Sequence, residues 1–199
     1  MDKIFTKNIE HESAVKHVTG KAIYTDDISE PKNLLHAVIG YSNCSKGVIK
    51  KIDYKDVLSS EGVVDIITEK DIEGINDVGP IFKGDKIFTS KNIEYYGQPI
   101  FAVIAKTNNL AKKAALKVKI DLKISKPIVS IEEALKKKSF VLKPKHLTRG
   151  NIKDGFKKSD NILKGKLYSG GQDHFYLEGQ IAMTIPQEDN NFLVYSSTQ

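Results

Sequence analysis

The stretch Pro99-Ile100-Phe101-Ala102-Val103-Ile104-Ala105, followed by Thr107-Asn108-Asn109 and then Leu110-Ala111-Lys112-Lys113-Ala114-Ala115, decides the fold. An unbroken apolar run of this length predicts a strand covered on both faces. Thr107, Asn108 and Asn109 can accept hydrogen bonds from the free N–H groups that open a helix. Leu110, Ala111, Ala114, Ala115 and Val118 then recur at helical spacing. Beyond them Val118, Ile120, Leu122 and Ile124 alternate with Lys117, Lys119, Asp121 and Lys123, which predicts a half-exposed strand with its lysines in water. Strand, helix and strand within residues 99–124 imply a compact α/β unit with the helix laid on the sheet.

Toward the N-terminus, residues 34–41 and 47–52 read as strands. Asp53 is placed to cap a short helix through Val57 and Leu58, closed by Ser59-Ser60-Glu61-Gly62. Residues 63–68 are β-branched and predict a buried strand. Residues 69–92 are loop-rich, with Gly74, Gly79-Pro80 and Gly84, and residues 1–17 are a polar N-terminal arm. Toward the C-terminus, residues 126–145 read as a linker with one short helix. Ser130 and Glu133 form its capping-box signature, Ile131, Ala134 and Leu135 give it a narrow apolar face, and Lys136-Lys137-Lys138 lie in solvent. Linker-like sequence runs on through Pro144 and Gly150. Three further strands are expected, at 162–169, 180–185 and 192–196, the last two joined by the polar turn Pro186 to Asn191. So few strands rarely stand unsupported, so they are expected to pair with the first domain or to open a domain that this chain does not complete.

Composition narrows the function. The 199 residues are 40 % apolar and 28 % charged, the profile of an ordinary globular protein. The net charge of +6 invites a nucleic-acid reading, but of 31 basic residues only Arg149 is an arginine. Lysine is a point charge without the fork that grips phosphate and reads guanine, so no nucleic-acid partner is expected. Cys44 stands alone, which excludes an internal disulfide or a CxxC metal knuckle and suggests a small buried hydrophobe in a cytoplasmic chain. The first ten residues lack the apolar core of a signal peptide, and no stretch reaches the ~20 apolar residues of a membrane helix.

Chemistry concentrates in Gly170-Gly171-Gln172-Asp173-His174-Phe175-Tyr176-Leu177-Glu178. Two glycines permit a positive φ or close approach to a ligand, and an amide, a carboxylate, an imidazole and a phenol follow. The plainer alternative is a glycine turn with capping side chains and Phe175 in the core. Histidines 11, 17, 36, 146 and 174 show no HxxxH or HxH spacing for a metal. Ser169, Asp173 and His174 are neighbours on one turn, whereas a nucleophilic triad needs its base held by a separate group. No GxGxxG or P-loop string is present. Asp26-Asp27 after Tyr24 reads as a cap or a solvated pair.

Three strings carry a resemblance. They are Val18-Thr19-Gly20-Lys21-Ala22-Ile23-Tyr24-Thr25-Asp26-Asp27-Ile28, then Gly97-Gln98-Pro99 with the run after it, then residues 170–180 (GGQDHFYLEGQ) continued by Pro186, Glu188-Asp189 and Ser196-Ser197-Thr198-Gln199. In this order they resemble the xanthine dehydrogenase and aldehyde oxidase family, its bacterial molybdenum-binding large subunits above all. The resemblance implies an α+β chain: an α/β-hammerhead domain over residues 18–125, then the first strands of a molybdenum-cofactor-binding domain over 146–199. Ser45-Lys46-Gly47 departs from the family pattern, so nothing functional transfers there.

The implied reaction is hydroxylation of a purine carbon, hypoxanthine to xanthine to urate, with water as the oxygen source. The implied cofactors are molybdenum-molybdopterin in the whole protein, and 2Fe-2S and FAD on a partner subunit or domain. The implied assembly is a homodimer of heterodimers. By resemblance Gln172 hydrogen-bonds an oxo ligand of the molybdenum, an amide donating without adding charge, and Gly171 permits close approach. No catalytic residue is assignable, Glu178 included. On this reading the isolated chain is inactive. Its alternatives are a non-enzymatic assembly module and a relative acting on aldehydes or other N-heterocycles.

Overall fold

The structure is a computed structural model that describes residues 10–198. Its helices are α1 (Ala14–Val18), α2 (Lys55–Leu58), α3 (Asn108–Ala115), α4 (Ile131–Lys137) and α5 (Ile152–Lys157). Its strands are β1 (His36–Tyr41), β2 (Gly47–Asp53), β3 (Val63–Ile67), β4 (Asn92–Ile93), β5 (Pro99–Ala105), β6 (Lys119–Ile124), β7 (Ala182–Pro186) and β8 (Phe192–Ser196). Helix and strand mix as an α+β fold. The chain forms two compact units: one runs from Pro31 to Gly150, and the other joins the segment up to Glu30 to the stretch from Asn151 onward. Of the predicted arm at 1–17, residues 1–9 lie outside the described residues, and α1 begins within the remainder.

In the unit from Pro31 to Gly150, β5 is the centre of an antiparallel sheet ordered β1-β5-β3. Its apolar run is buried almost throughout, as the sequence predicts, because strands flank it on both sides and α3 packs across β1 and β5. The core combines Ile100, Phe101 and Val103 of β5 with Ala111 and Ala114 of α3, Val57 of α2, and Cys44. Small alanines on the inner face of α3 let that helix approach the strands closely. Thr107 accepts from the Leu110 amide at 3.2 Å, closing the predicted cap. Gly40 pairs with Phe101 across the strands, and a Cβ there would overlap the Phe101 ring.

α3 lies on the β1-β5-β3 sheet as expected, but the flanking strands do not share it. β6 joins a second antiparallel sheet, ordered β4-β2-β6, so the strands flanking α3 belong to different sheets. The alternation in β6 foretells a half-buried face but not its partner, and β2 supplies that partner from Gly47↔Ile124 to Asp53↔Lys119. β3 is also corrected. It lies at the sheet edge, and Val64 and Ile67 are exposed although β-branched. Asp53 accepts from the Lys55 amide at 2.9 Å as α2 begins. The pair Gly97-Gln98 shapes the turn that leads into β5. Gly97 sits at φ +81, and the buried Gln98 accepts from the Glu94 amide at 2.8 Å.

α4 starts where expected, with Ser130 accepting from the Glu133 amide at 3.2 Å. The Glu133 carboxylate turns to Lys137 at 2.7 Å, an i,i+4 pair. The narrow apolar face of α4 stays exposed at Ile131 and Leu135.

The other unit is built differently. None of its described residues is buried. Among the described residues β7 and β8 pair only with each other, Ala182↔Ser196 to Pro186↔Phe192. The polar turn between them holds Asp189 and Asn190 at φ 57 and 58, residue types that tolerate this conformation. The strand expected at 162–169 is absent, and those residues carry no regular structure. A strand needs a neighbouring strand for its N–H and C=O groups, and these residues join no sheet of the described residues. The sequence reading also missed α5, which Asn151 caps by accepting from the Asp154 amide at 3.2 Å.

Candidate functional site

The segment 170–178 leads from irregular chain into the hairpin. Residues 170–177 are all exposed, and Glu178 is half-buried. Gly170 and Gly171 do not use a positive φ; the residue that does is Phe175, at φ 49. The two glycines border open space, with no heavy atom within 4 Å of where a Cβ would stand. The alternative that sent Phe175 into the core fails. Its ring is 94 % exposed, because this unit has no core to receive it. No hydrogen bond among the described residues joins Ser169, Asp173 and His174, so no triad forms.

The downstream end of the segment is tied. Ser197 Oγ accepts from the Ile181 amide at 2.9 Å and donates to the Gly179 carbonyl at 2.7 Å, stitching the open end of the β7–β8 hairpin. One residue earlier, Glu178 Oε1 accepts from the backbone N–H of Thr25 at 2.7 Å. This bond joins the first and last of the three strings, 153 residues apart. Sequence spacing carries no signal for it.

The partner end is itself well braced. Thr25–Asp27 forms a 3-10 turn, in which the Asp27 amide donates to the Tyr24 carbonyl at 3.0 Å. The Tyr24 amide in turn donates to Asp27 Oδ2 at 3.0 Å, so Asp27 is a cap. The Tyr24 hydroxyl lies 3.0 Å from His17 Nδ1.

Perturbed titrating groups lie in the other unit, each with a local cause. The amides of Gly79 and Gly84 hold the Asp77 carboxyl below the usual carboxylate range. Thr68 does the same for Asp71, and Lys119, at 2.6 Å, for Asp56. Burial first, and the Asp71 charge second, push the Tyr54 phenol up to about 12. These are structural contacts of loops and strands, remote in sequence from 170–178. A cavity of that unit, about 620 Å³, is lined mainly by apolar groups such as Ile39, Phe101, Leu116 and Ile120, with no carboxylate, imidazole, amine or thiol among its lining.

A molybdenum cofactor can be tested against these residues. Among the described residues no three His, Cys, Asp or Glu side chains gather to bind a metal directly. Gln172 has no hydrogen-bond partner among them, and the glycines before it leave room. This suits a group held elsewhere and met here by an amide donor. No helix of the described residues is long and apolar enough to cross a membrane.

Comparison with known proteins gives two family matches. Residues 19–126 match the model for the aldehyde oxidase and xanthine dehydrogenase a/b hammerhead domain. Residues 132–199 match that for the molybdopterin cofactor-binding domain. Xanthine dehydrogenase of Dictyostelium discoideum is 38 % identical over 194 residues, 98 % of this chain and 14 % of the relative. Aldehyde oxidase 2 of Mus musculus is 39 % identical over 193 residues, 96 % of this chain and 14 % of the relative. The chain thus spans about 14 % of the length of the curated relatives it matches. The solved aldehyde oxidoreductase of Desulfovibrio gigas superposes with a TM-score of 0.80 at 27 % identity, over 94 % of this chain and 23 % of that one.

Proposed function

Because the chain belongs to the aldehyde oxidase and xanthine dehydrogenase family, we propose that it serves a molybdenum hydroxylase that oxidises purines, hypoxanthine to xanthine to urate. The observation that carries the cofactor part is the match of residues 132–199 to the molybdopterin cofactor-binding domain, with the unengaged Gln172 inside it. Bound molybdenum-molybdopterin supplies oxidation of a substrate carbon with oxygen drawn from water. This chain supplies position and polarity. Gln172 would donate its amide N–H to an oxo ligand of the bound cofactor, and Gly171 would leave the backbone clear for that approach. A partner subunit or domain would hold the 2Fe-2S and FAD that take up the electrons, within a cytoplasmic homodimer of heterodimers.

The likeness of residues 170–199 to purine-oxidising members favours purine. A second reading, an aldehyde substrate, has support of its own: an aldehyde oxidase matches as closely as a xanthine dehydrogenase, and the aldehyde oxidoreductase shares the fold. The assembled enzyme carrying this segment, supplied with an artificial electron acceptor, should oxidise hypoxanthine and xanthine. Turnover of an aromatic aldehyde with none of either purine overturns the purine assignment. Gln172→Ala should lower kcat about 10–100-fold, the usual cost of removing a partner that orients a metal's ligand. The isolated 199-residue chain should turn over neither substrate.

A further inference from the structure

We infer that Glu178 is a positioning residue: its carboxylate clasps the backbone N–H of Thr25 and so fixes the end of the loop that carries Gln172. The clasp deepens the cofactor reading above and rests on it for its consequence in catalysis, though not for its existence.

Three observations carry it. First, the unit holding this loop has no buried residue among those described, so apolar packing cannot set the loop's place. Polar bonds must do so. Second, Glu178 is the half-buried member of an otherwise exposed run from 171 to 180, and its 2.7 Å bond is short, as expected when the acceptor is ionised. Third, the donor does not float. Thr25 opens the 3-10 turn that Asp27 caps and that the Tyr24–His17 contact buttresses. A carboxylate on so braced a donor transmits that rigidity to its own backbone. Ser197 fixes Gly179 and Ile181 immediately beyond. Residues 170–177 therefore extend from one anchored end, six residues from Gln172 to Glu178. A carboxylate committed to a backbone donor is an anchor; a general base must instead reach the proton it removes.

Three variants separate anchor from base. Glu178→Gln keeps an oxygen that can accept from Thr25. Glu178→Ala removes it. Thr25→Pro deletes the donor alone: proline suits the first position of a helical turn, and Tyr24 before it is already extended, at ψ 168. On the 199-residue chain, with no cofactor, amide exchange at Thr25 should speed up about tenfold in Glu178→Ala and stay within about threefold in Glu178→Gln, the scale of one hydrogen bond. Unchanged exchange in Glu178→Ala overturns the clasp. In the assembled enzyme, Glu178→Ala and Thr25→Pro should lower kcat by similar factors, with no further loss when combined, and Glu178→Gln should keep most of the rate. A Glu178→Gln enzyme as poor as Glu178→Ala, beside an unimpaired Thr25→Pro, overturns it in favour of a base. Should the exchange result hold while the assembled protein takes up no molybdenum, the clasp stands and the cofactor reading falls.

Discussion

Phe101 and Phe175 are the same side chain in two regions of one chain, and their fates are opposite: Phe101 is fully buried and Phe175 is 94 % exposed. Phe101 lies on a central strand, with the Tyr54 ring 5.2 Å away in a T-shaped contact and Gly40 making room beneath it. Phe175 lies in a segment whose only regular neighbour among the described residues is a two-stranded hairpin. Hydrophobicity supplies a driving force, and burial needs a second surface. The unit from Pro31 to Gly150 has two sheets and the helices α2 and α3 to offer one another. The unit joining the segment up to Glu30 to the stretch from Asn151 holds its shape through Glu178, Ser197 and Asp27, all polar contacts. Apolar burial is worth about 25 cal/mol per Å², and a single net hydrogen bond about 1 kcal/mol, so the first region should be much the more stable.

Paired substitutions test that contrast. Phe101→Ala should cost about 3–5 kcal/mol in urea unfolding followed by circular dichroism, whereas Phe175→Ala should change stability by less than about 0.5 kcal/mol. Equal losses would mean that both regions melt as one cooperative body. Gly40→Ala comes next. Its methyl must displace the Phe101 ring, and overpacking of this kind costs about 1–3 kcal/mol. The same change at Gly171, where space is open, should leave stability unaltered.

Helix caps give a smaller version of the comparison. Thr107→Ala removes the cap of α3, whose Ala111 and Ala114 are in the core, and should cost about 1 kcal/mol. Asn151→Ala removes the matching cap of α5, which buries nothing, so the main unfolding midpoint should not move. A shift as large as that from Thr107→Ala would show that α5 is coupled to the packed unit.

The smallest effects should come from pH. Tyr54 titrates at about 12 in the fold against about 10 in an unfolded chain. Its contribution is complete below pH ~10 and is lost as pH rises through about 12. Asp56, Asp71 and Asp77 are shifted down, so their contributions are present above the ordinary carboxylate range near 3.9 and are lost as pH falls through their lowered values. Unfolding midpoints of the packed unit should therefore hold level between about pH 5 and pH 10. Tyr54→Phe should weaken the alkaline decline, and an unchanged decline would remove Tyr54 from the account.

Much of the packed unit was legible in residue order, because its signals are local. The run Pro99–Ala105, the Thr107 cap and the alternation in Lys119–Ile124 each specify an element through neighbours a few residues away. Reading failed where the deciding partner was distant. Residues 162–169 look like a strand by apolar spacing, yet they form no ladder with the described residues. Residues 63–68 look buried, yet an edge position leaves Val64 and Ile67 in water. At the candidate site, the cluster after Gly170-Gly171 was visible as chemistry. The clasp of Glu178 on Thr25 was not, because no pattern within either string announces a partner in the other.

Sequence alone settled which residues form β5, α3 and β6, where α3 begins, and which family the three strings point to. Tertiary structure decided that β5 and β6 enter different sheets, that Cys44 and Phe101 share a core, and that Phe175 stays in water. It also decided that Glu178, to which the sequence assigned no role, commits an oxygen to a backbone amide. The physical reason is range. Caps, turns and periodicity act over a few residues, so the local sequence contains both partners, whereas sheet assignment, burial and a bond across 153 residues depend on groups that only the folded chain brings together.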